Sequence, residues 1–209
     1  MSERLRILIV GATGLVGRAI SAELSARHLI LPAGRTAAQF KLDLTDAASI
    51  EACLEEAGPL DAVISAAGQV KFAPLSDFKP LPLGKSLYTL GLENKLLGQV
   101  NLALAARERL RERGSITLTA GILADTPIAS GSSASMVNGA IESFVRAAAI
   151  EMPRGIRLNC VSPTVLTEAM DTYAPFFRGF ESVPARRVAL AYSRSVEGLG
   201  TGEIYRVYQ

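Results

Sequence analysis

A glycine-rich segment near the start of the chain has the residue types and spacing of a phosphate-binding turn. It reads Gly11-Ala12-Thr13-Gly14-Leu15-Val16-Gly17 and directly follows the apolar run Leu5–Val10. Glycines let the backbone turn tightly and approach a pyrophosphate, and a helix that begins there offers free N–H groups to the phosphates. Because the segment lies between a predicted strand and a predicted helix, it predicts dinucleotide binding rather than an empty turn. The residues expected at the dinucleotide are Gly11, Thr13, Gly14, Leu15, Val16 and Gly17.

The residues after the second apolar run indicate which dinucleotide is bound. The run Leu29–Ala33 leads to Arg35 and Thr36, without the Asp or Glu that bonds the ribose 2′-hydroxyl of NAD. The Arg35 guanidinium can pair with a 2′-phosphate and the Thr36 hydroxyl can assist, so the pattern predicts NADP(H). The alternative is a surface arginine in a turn. Asp43, with Leu44 behind it, is placed to meet the adenine amino group or else to cap the next helix.

The elements that must position these residues alternate between strands and helices. The predicted strands are Leu5–Val10, Leu29–Ala33, Phe40–Leu42, Leu60–Ser65, Ser115–Thr119, Ile156–Val161 and Glu203–Val207, and the predicted helices are Leu15–Ala26, Asp46–Ala57, Leu87–Arg113, Ser132–Met152 and Pro184–Ser195. Such alternation produces a parallel sheet with right-handed crossovers. We therefore expect an α/β fold, a Rossmann-type doubly wound parallel sheet of about seven strands with helices on both faces, built by residues 1–209 as a single domain.

Composition and charge exclude several other classes of protein. The net charge is +2, and the basic run from Arg107 to Arg113 is interrupted by glutamates, which is typical of a solvated helix end rather than a nucleic-acid surface. We therefore expect no nucleic-acid partner. No apolar run approaches the ~20 residues that span a bilayer, so we expect no membrane partner either. Cys53 and Cys160 have no metal-ligand spacing and predict buried thiols, no metal site and a cytoplasmic protein.

Several short motifs together resemble the short-chain dehydrogenase/reductase family over nearly the whole chain. They are the glycine turn, Asp43-Leu44-Thr45, Ser65-Ala66-Ala67-Gly68, Arg157-Leu158-Asn159-Cys160-Val161-Ser162-Pro163 and Thr201-Gly202-Glu203. The resemblance implies a nicotinamide cofactor and an irregular substrate lid at about residues 162–183. It also implies further cofactor-binding residues, namely Ala66, Ala67, Gly68, Lys95, Thr119, Pro163, Thr164, Val165 and Thr167, with Thr167 near the carboxamide.

The chain departs from the family where the usual chemistry is done. Alignment puts the family's Ser and Tyr on Gly121 and Ala134, its Lys on Asn138, and its Asn on Lys95. A reciprocal exchange would keep an ammonium and an amide in one pocket, so Lys95 and Asn138 are predicted catalytic residues, unless Lys95 is a solvated helix lysine. Tyr173 in the lid could supply a phenol instead, although lid packing explains it as well.

These observations predict an NADP(H)-dependent oxidoreductase with a non-standard active site, acting on a small-molecule carbonyl, alcohol or enone. The alternative is a catalytically silent NADP(H)-binding protein that senses redox state or serves as an interaction partner. Small and apolar residues lie on more than one face of the helical stretches Leu96–Ala106 and Met136–Ala149. By resemblance such helices pair across two-fold axes, so we expect a homodimer or homotetramer.

Overall fold

The computed structural model describes residues 4–209, so the first three residues of the predicted 1–209 domain lie outside it. It contains a seven-stranded parallel sheet in the order β3-β2-β1-β4-β5-β6-β7. The strands are β1 (Arg6–Val10), β2 (Leu29–Gly34), β3 (Phe40–Lys41), β4 (Leu60–Ser65), β5 (Leu110–Thr119), β6 (Arg157–Pro163) and β7 (Ile204–Val207). The helices are α1 (Leu15–Leu24), α2 (Ala47–Ala57), α3 (Gly98–Arg109), α4 (Ser132–Ala148), α5 (Met170–Tyr173) and α6 (Ala185–Glu197). The predicted doubly wound fold is confirmed.

The sheet is buried on both faces because successive side chains of a strand point to opposite sides. In β1, Leu8 and Val10 belong to one core cluster, which α2, α3 and α4 cover, whereas Ile7 and Ile9 belong to a second cluster, which α1 and α6 cover. These two aliphatic layers explain why the strand reads as a continuous apolar run.

The strand order reverses direction between β1 and β4, and this places a crevice at the carboxyl ends of the strands. The loops after β1, β2, β4, β5 and β6 therefore meet at one edge of the sheet. A third, smaller apolar cluster lies at this edge and includes Ile122, Leu123, Ala134, Val165 and Phe177. It packs the segment after β6 against the start of α4.

Several element boundaries differ from the sequence-based expectation, most of all those of the helices on either side of β5. The helix predicted over Leu87–Arg113 begins as a π-helical turn at Gly91–Leu97 and ends at Arg109, because the chain enters β5 at Leu110. The register of β5 against β4 shifts after the Leu110–Leu60 pair, and Arg113 has a positive φ of 61°. Helix α4 ends at Ala148, four residues before Met152, where a 3₁₀ turn replaces it.

The segment predicted to be irregular at 162–183 contains more regular structure than expected. Ser162 and Pro163 extend β6, Met170–Tyr173 forms the short α5, and Leu166 makes an isolated parallel bridge with Val183. Within residues 4–209, no helix is both long and apolar enough to cross a membrane. The same residues include no group of three or more His, Cys, Asp or Glu side chains suited to a metal ion.

Candidate active site

The glycine turn after β1 forms a cradle that side chains would fill. Gly11 has a φ of 83°, which favours glycine, and its N–H donates to the Ala33 carbonyl at 2.9 Å. A Cβ at Gly11 would lie 2.8 Å from the Ala66 carbonyl oxygen, and one at Gly17 would collide with the carbonyl of Gly11. Gly14 is exposed, and a Cβ there would lie 3.3 Å from the Gly11 oxygen. Gly11 and Gly17 therefore shape the turn, while Gly14 leaves its outer surface open.

Helix α1 begins directly behind this turn and presents its positive end to the groove. Gly14 is the N-cap and provides no capping side chain, and the first turn holds no acidic residue. Among residues 4–209, no backbone carbonyl accepts a hydrogen bond from the N–H groups of Leu15, Val16 and Gly17. These donors and the helix dipole suit the phosphates of a dinucleotide. The side chain of Val16 packs into the core below, so only its backbone is available to a ligand.

A groove of about 330 Å³ continues from the turn along the ends of β2 and β3. Arg35 and Thr36 are exposed at its rim, and within the described residues Arg35 has no salt bridge. Lys41 lies at the same rim and donates its ammonium to the Thr36 carbonyl. This arrangement concentrates positive charge where the sequence predicts the 2′-phosphate.

Asp43 lines the same groove and is held by its own loop. Its Oδ1 accepts hydrogen bonds from the Thr45 amide at 2.9 Å and the Thr45 hydroxyl at 2.8 Å. These bonds, more than the nearby Arg35 charge, lower the pKa of Asp43 below its usual value. The capping alternative for Asp43 is wrong, because Asp46 caps α2 by accepting from the Ala48 amide. Leu44 lines the groove beside Asp43 and packs closely on Gly98.

The turn after β4 joins this groove to a second cavity. Ala66, Ala67 and Gly68 line the groove, and Gly68 also lines a cavity of about 540 Å³ that extends toward the lid. Gln69 likewise lines both, and its backbone N–H donates to Asn94 Oδ1 at 2.8 Å. The sequence did not single out Gln69, Asn94 or Lys41. Their signals were weak, because each is a common surface residue type.

Lys95 lies where the groove and the cavity meet, on the π-helical turn before α3. Its side chain packs on Gly68, where an added Cβ would be 2.7 Å from Lys95 Cγ. Its ammonium donates to the Ala120 carbonyl at 3.2 Å, and burial lowers the pKa of Lys95 to about 8. The interpretation of Lys95 as a solvated helix lysine is therefore wrong. Lys95 belongs to a π-helical turn, a feature that is frequent at functional sites.

Asn138 reaches the same turn from α4. Its Nδ2 donates to the Gly121 carbonyl at 3.3 Å, next to the Ala120 carbonyl that Lys95 contacts. Its Oδ1 is buried and, among residues 4–209, has no hydrogen-bond partner. The structure thus places an ammonium and an amide beside neighbouring carbonyls, as the proposed exchange requires. Gly121 and the buried Ala134 add no hydroxyl to this end of the cavity.

The lid covers the cavity with aromatic side chains. Tyr173 lines the cavity and is 36% exposed, and its ring meets Phe72 at 6.0 Å and Phe177 at 6.3 Å between centroids. Pro163, Thr164 and Val165 line the cavity below it, as the resemblance implies. The Thr164 hydroxyl donates to the Glu181 carbonyl at 3.1 Å and ties the end of β6 to the lid.

Two of the predicted cofactor-binding side chains are directed elsewhere. The Thr119 hydroxyl lies 2.5 Å from both the Ser65 carbonyl oxygen and the Tyr192 hydroxyl, in the core beneath α6, and Thr119 does not line the groove or the cavity. The prediction that Thr119 binds the cofactor is therefore wrong. Side chains alternate between the two faces of β5, and the side chain of Thr119 points toward α6. Thr167 is exposed and pairs with Ser182 at 3.1 Å, so its hydroxyl is engaged within the lid rather than facing the cavity.

Comparison with known proteins shows which family and which solved structures the chain is similar to. A sequence model described as enoyl-(acyl carrier protein) reductase matches residues 14–199. The solved structure of protein lin1944 from Listeria innocua is 44% identical, with a TM-score of 0.93 over 98% of this chain and 100% of that one. A small-chain dehydrogenase solved in complex with NADPH is 25% identical, with a TM-score of 0.85 over 98% of this chain and 97% of that one.

A short-chain dehydrogenase/reductase from Brucella melitensis shares the fold at 21% identity, with a TM-score of 0.81 over 98% of this chain and 95% of that one. None of the curated proteins matches the chain. The family model covers most of the sequence, and the seven-stranded sheet is the one its structural relatives share. The chain is therefore a member of the short-chain dehydrogenase/reductase family of oxidoreductases, which use nicotinamide cofactors.

Proposed function

We propose that this protein is an NADP(H)-dependent reductase of carbonyl or enone compounds with a non-standard active site. The observation that carries the proposal is the continuity of the groove and the cavity, which share Gly68 and Gln69. A dinucleotide along the groove would place its nicotinamide end at the cavity, next to Lys95. The NADPH complex of a 25% identical dehydrogenase supports this choice of cofactor.

The residues present fit such a cofactor. Phosphates would meet the free N–H groups of α1, the 2′-phosphate would meet Arg35, and the adenine would lie near Asp43. Pro163, Thr164 and Val165 would border the nicotinamide. A reduced nicotinamide supplies a hydride when it is bound.

The chain's own residues would then handle the substrate. The Lys95 ammonium can hold the substrate oxygen and give it a proton, and Asn138 keeps the Ala120–Gly121 turn in place beside it. Tyr173 remains a second candidate proton donor because it lines the same cavity. The apolar walls and the lid would limit the access of water to the reacting atoms.

A second candidate function is a catalytically silent NADP(H)-binding protein. It is favoured by Gly121 and Ala134, which stand where the family has its Ser and Tyr. Neither residue provides a hydroxyl at the end of the cavity next to Lys95. Losing a positioned general acid typically lowers a rate by ~10²–10⁴. Lys95 would have to compensate for this loss in an active enzyme.

Calorimetric titration with NADPH, followed by its oxidation in the presence of carbonyl compounds, separates the two functions. A reductase binds NADPH and oxidises it with at least one carbonyl or enone substrate. Binding without any oxidation would favour the silent protein, and absence of binding would exclude both.

A further inference from the structure

The wall of the cavity beyond Lys95 is made mostly of carbon, and one side of it is aromatic. Phe72, Tyr173 and Phe177 form that side with edge-to-face contacts, and Ile122, Leu123 and Val165 pack beneath them. Among the described residues that line the cavity, Lys95 provides the one positive charge. The cavity of about 540 Å³, of which the nicotinamide would occupy the part next to Pro163 and Thr164, is in the ~300–1,000 Å³ range of small-molecule sites. The wall suits a flat apolar ligand with one oxygen directed at the amine.

Few of the side chains that line the cavity can donate a proton, and this restricts which reductions the site can promote. Reduction of a simple ketone produces an alkoxide, whose basicity approaches that of hydroxide, the conjugate base of water with a pKa of about 15.7. Reduction of a quinone produces the anion of a phenol, and phenols such as tyrosine have a pKa of about 10. The quinone product is far less basic, so it does not require a hydroxyl cluster around its oxygen.

We propose that the cavity binds a flat aromatic quinone, with its carbonyl oxygen at the Lys95 ammonium and its rings against Phe72, Tyr173 and Phe177; this rests on the proposed reductase function. The quinone accepts a hydride, equivalent to one proton and two electrons, from the reduced nicotinamide, which is oxidised. The resulting monoanion takes a proton from Lys95 and becomes the hydroquinone. Lys95 regains its proton from water, so one quinone, one hydride and one proton are consumed per turnover.

Binding to the protein without cofactor tests the contacts by themselves. The probe is 2,3-dimethyl-1,4-naphthoquinone, whose blocked ring carbons cannot alkylate amines or thiols, and the reference is 2-decalone, a saturated two-ring ketone. Calorimetry should show tighter binding of the quinone. Lys95→Met should weaken it about tenfold or more, since a charge-assisted hydrogen bond is lost. Lys85→Met, a change at an exposed lysine outside the cavity, is the matched control.

Two Tyr173 variants separate its ring from its hydroxyl. Tyr173→Phe should bind the quinone as the unmutated protein does, whereas Tyr173→Ala should bind it several-fold more weakly because an aromatic face is lost. Labelling the lysine amines with ¹³C-methyl groups gives a further readout, because the Lys95 resonance should move on quinone addition. Equal binding of quinone and decalone, or unaltered quinone binding in Lys95→Met, would overturn the proposal.

Turnover distinguishes failure of this proposal from failure of the reductase function. Anaerobic assays with NADPH should show the naphthoquinone reduced at least tenfold faster than 2-decalone or 2-cyclohexenone, with one hydroquinone formed per NADPH. Faster reduction of either reference compound would overturn the quinone assignment while leaving the reductase function intact. Oxidation of NADPH by none of the three overturns both.

Discussion

At the scale of single residues, the two ends of the site differ in how their charges are held. Arg35 is exposed at the groove rim without an acidic partner among the described residues, so its guanidinium is available to an anion. Lys95 is half-buried and packed on Gly68, and its desolvation lowers the pKa of its ammonium to about 8. One cation is therefore suited to binding and the other to proton transfer.

Arg35 should determine the choice of cofactor. NADPH should bind more tightly than NADH, and Arg35→Ala should remove most of the difference, because one charge-assisted contact to a phosphate contributes ~1.5–3 kcal/mol, about tenfold to a hundredfold in Kd. Calorimetric titration with both cofactors measures the effect. Arg35→Lys keeps the charge without the planar fork and should retain only part of the preference. Equal affinity for NADPH and NADH in the unmutated protein would refute this role.

Lys95 should give the reaction a characteristic pH dependence. With the ammonium as proton donor, kcat should be highest below about pH 8 and should fall as the pH rises through the lowered pKa of Lys95. Cys160 is the titratable group that interacts electrostatically with Lys95, and burial raises the pKa of its thiol to about 12, so it stays neutral over this range. Steady-state rates from pH 6 to 10 measure the profile, and Lys95→Met should lack the transition. A flat profile in the unmutated enzyme would assign the proton to another donor.

The same shift has a consequence for stability with a defined sign. The folded pKa of Lys95 lies below its ordinary value of 10.5, so between about pH 8 and 10.5 the unfolded chain binds more protons than the folded one. The free energy of unfolding should therefore rise with pH in this window. Denaturation of Lys95→Met should show a smaller rise, which separates this effect from those of other groups.

At the scale of elements, the turn between β1 and α1 assigns different tasks to glycines of the same motif. Gly14→Val should abolish NADPH binding, because its side chain would fill the open surface of the cradle while its backbone, at φ −73°, tolerates any residue. Gly17→Ala should instead destabilise the fold by about 1–3 kcal/mol, since its Cβ collides with the Gly11 carbonyl. Thermal melts and NADPH titrations on both variants check the distinction. Undiminished binding by a folded Gly14→Val protein would place the cofactor elsewhere.

The sequence predicted the elements whose signals are local and missed those decided by tertiary contacts. The strands appear as apolar runs, and the Asp46 cap marks the start of α2, so both are readable along the chain. The end of α3 is not, because the helix stops four residues before Arg113 where Leu110 pairs with Leu60 across the sheet. The π turn at Lys95 likewise has no signal in apolar spacing.

The candidate site shows the same division. The glycine turn, Arg35 and the Lys95–Asn138 pair follow from motif spacing and alignment, and the structure brings each to the predicted edge of the sheet. The direction of the Thr119 hydroxyl depends on its partner Tyr192, which is 73 residues further along the chain. Side-chain direction at a strand end is a matter of packing, and spacing along the sequence does not reveal it.

At the scale of the whole molecule, the layer formed by α3 and α4 presents apolar side chains to the outside. Leu104 and Met136 are about two-fifths exposed at 39% and 41%, although both helices already bury another face on the sheet. Ile150, in the 3₁₀ turn that follows α4, is also exposed, at 85%. Apolar side chains left exposed on the outer face of helices that already pack on the sheet are candidates for contacts with another protein chain.

This surface should hold a second copy of the chain. Light scattering at micromolar concentration should give the mass of a homodimer or homotetramer, and the double variant Leu104→Glu/Met136→Glu should reduce that mass because it places like charges across a two-fold interface. Its fold should survive, since both side chains are already partly in solvent. Leu199→Glu is the matched control, because Leu199 is 88% exposed and follows α6 on the opposite layer. A monomeric unmutated protein, or loss of assembly in Leu199→Glu alone, would show that the α3–α4 layer is not the interface.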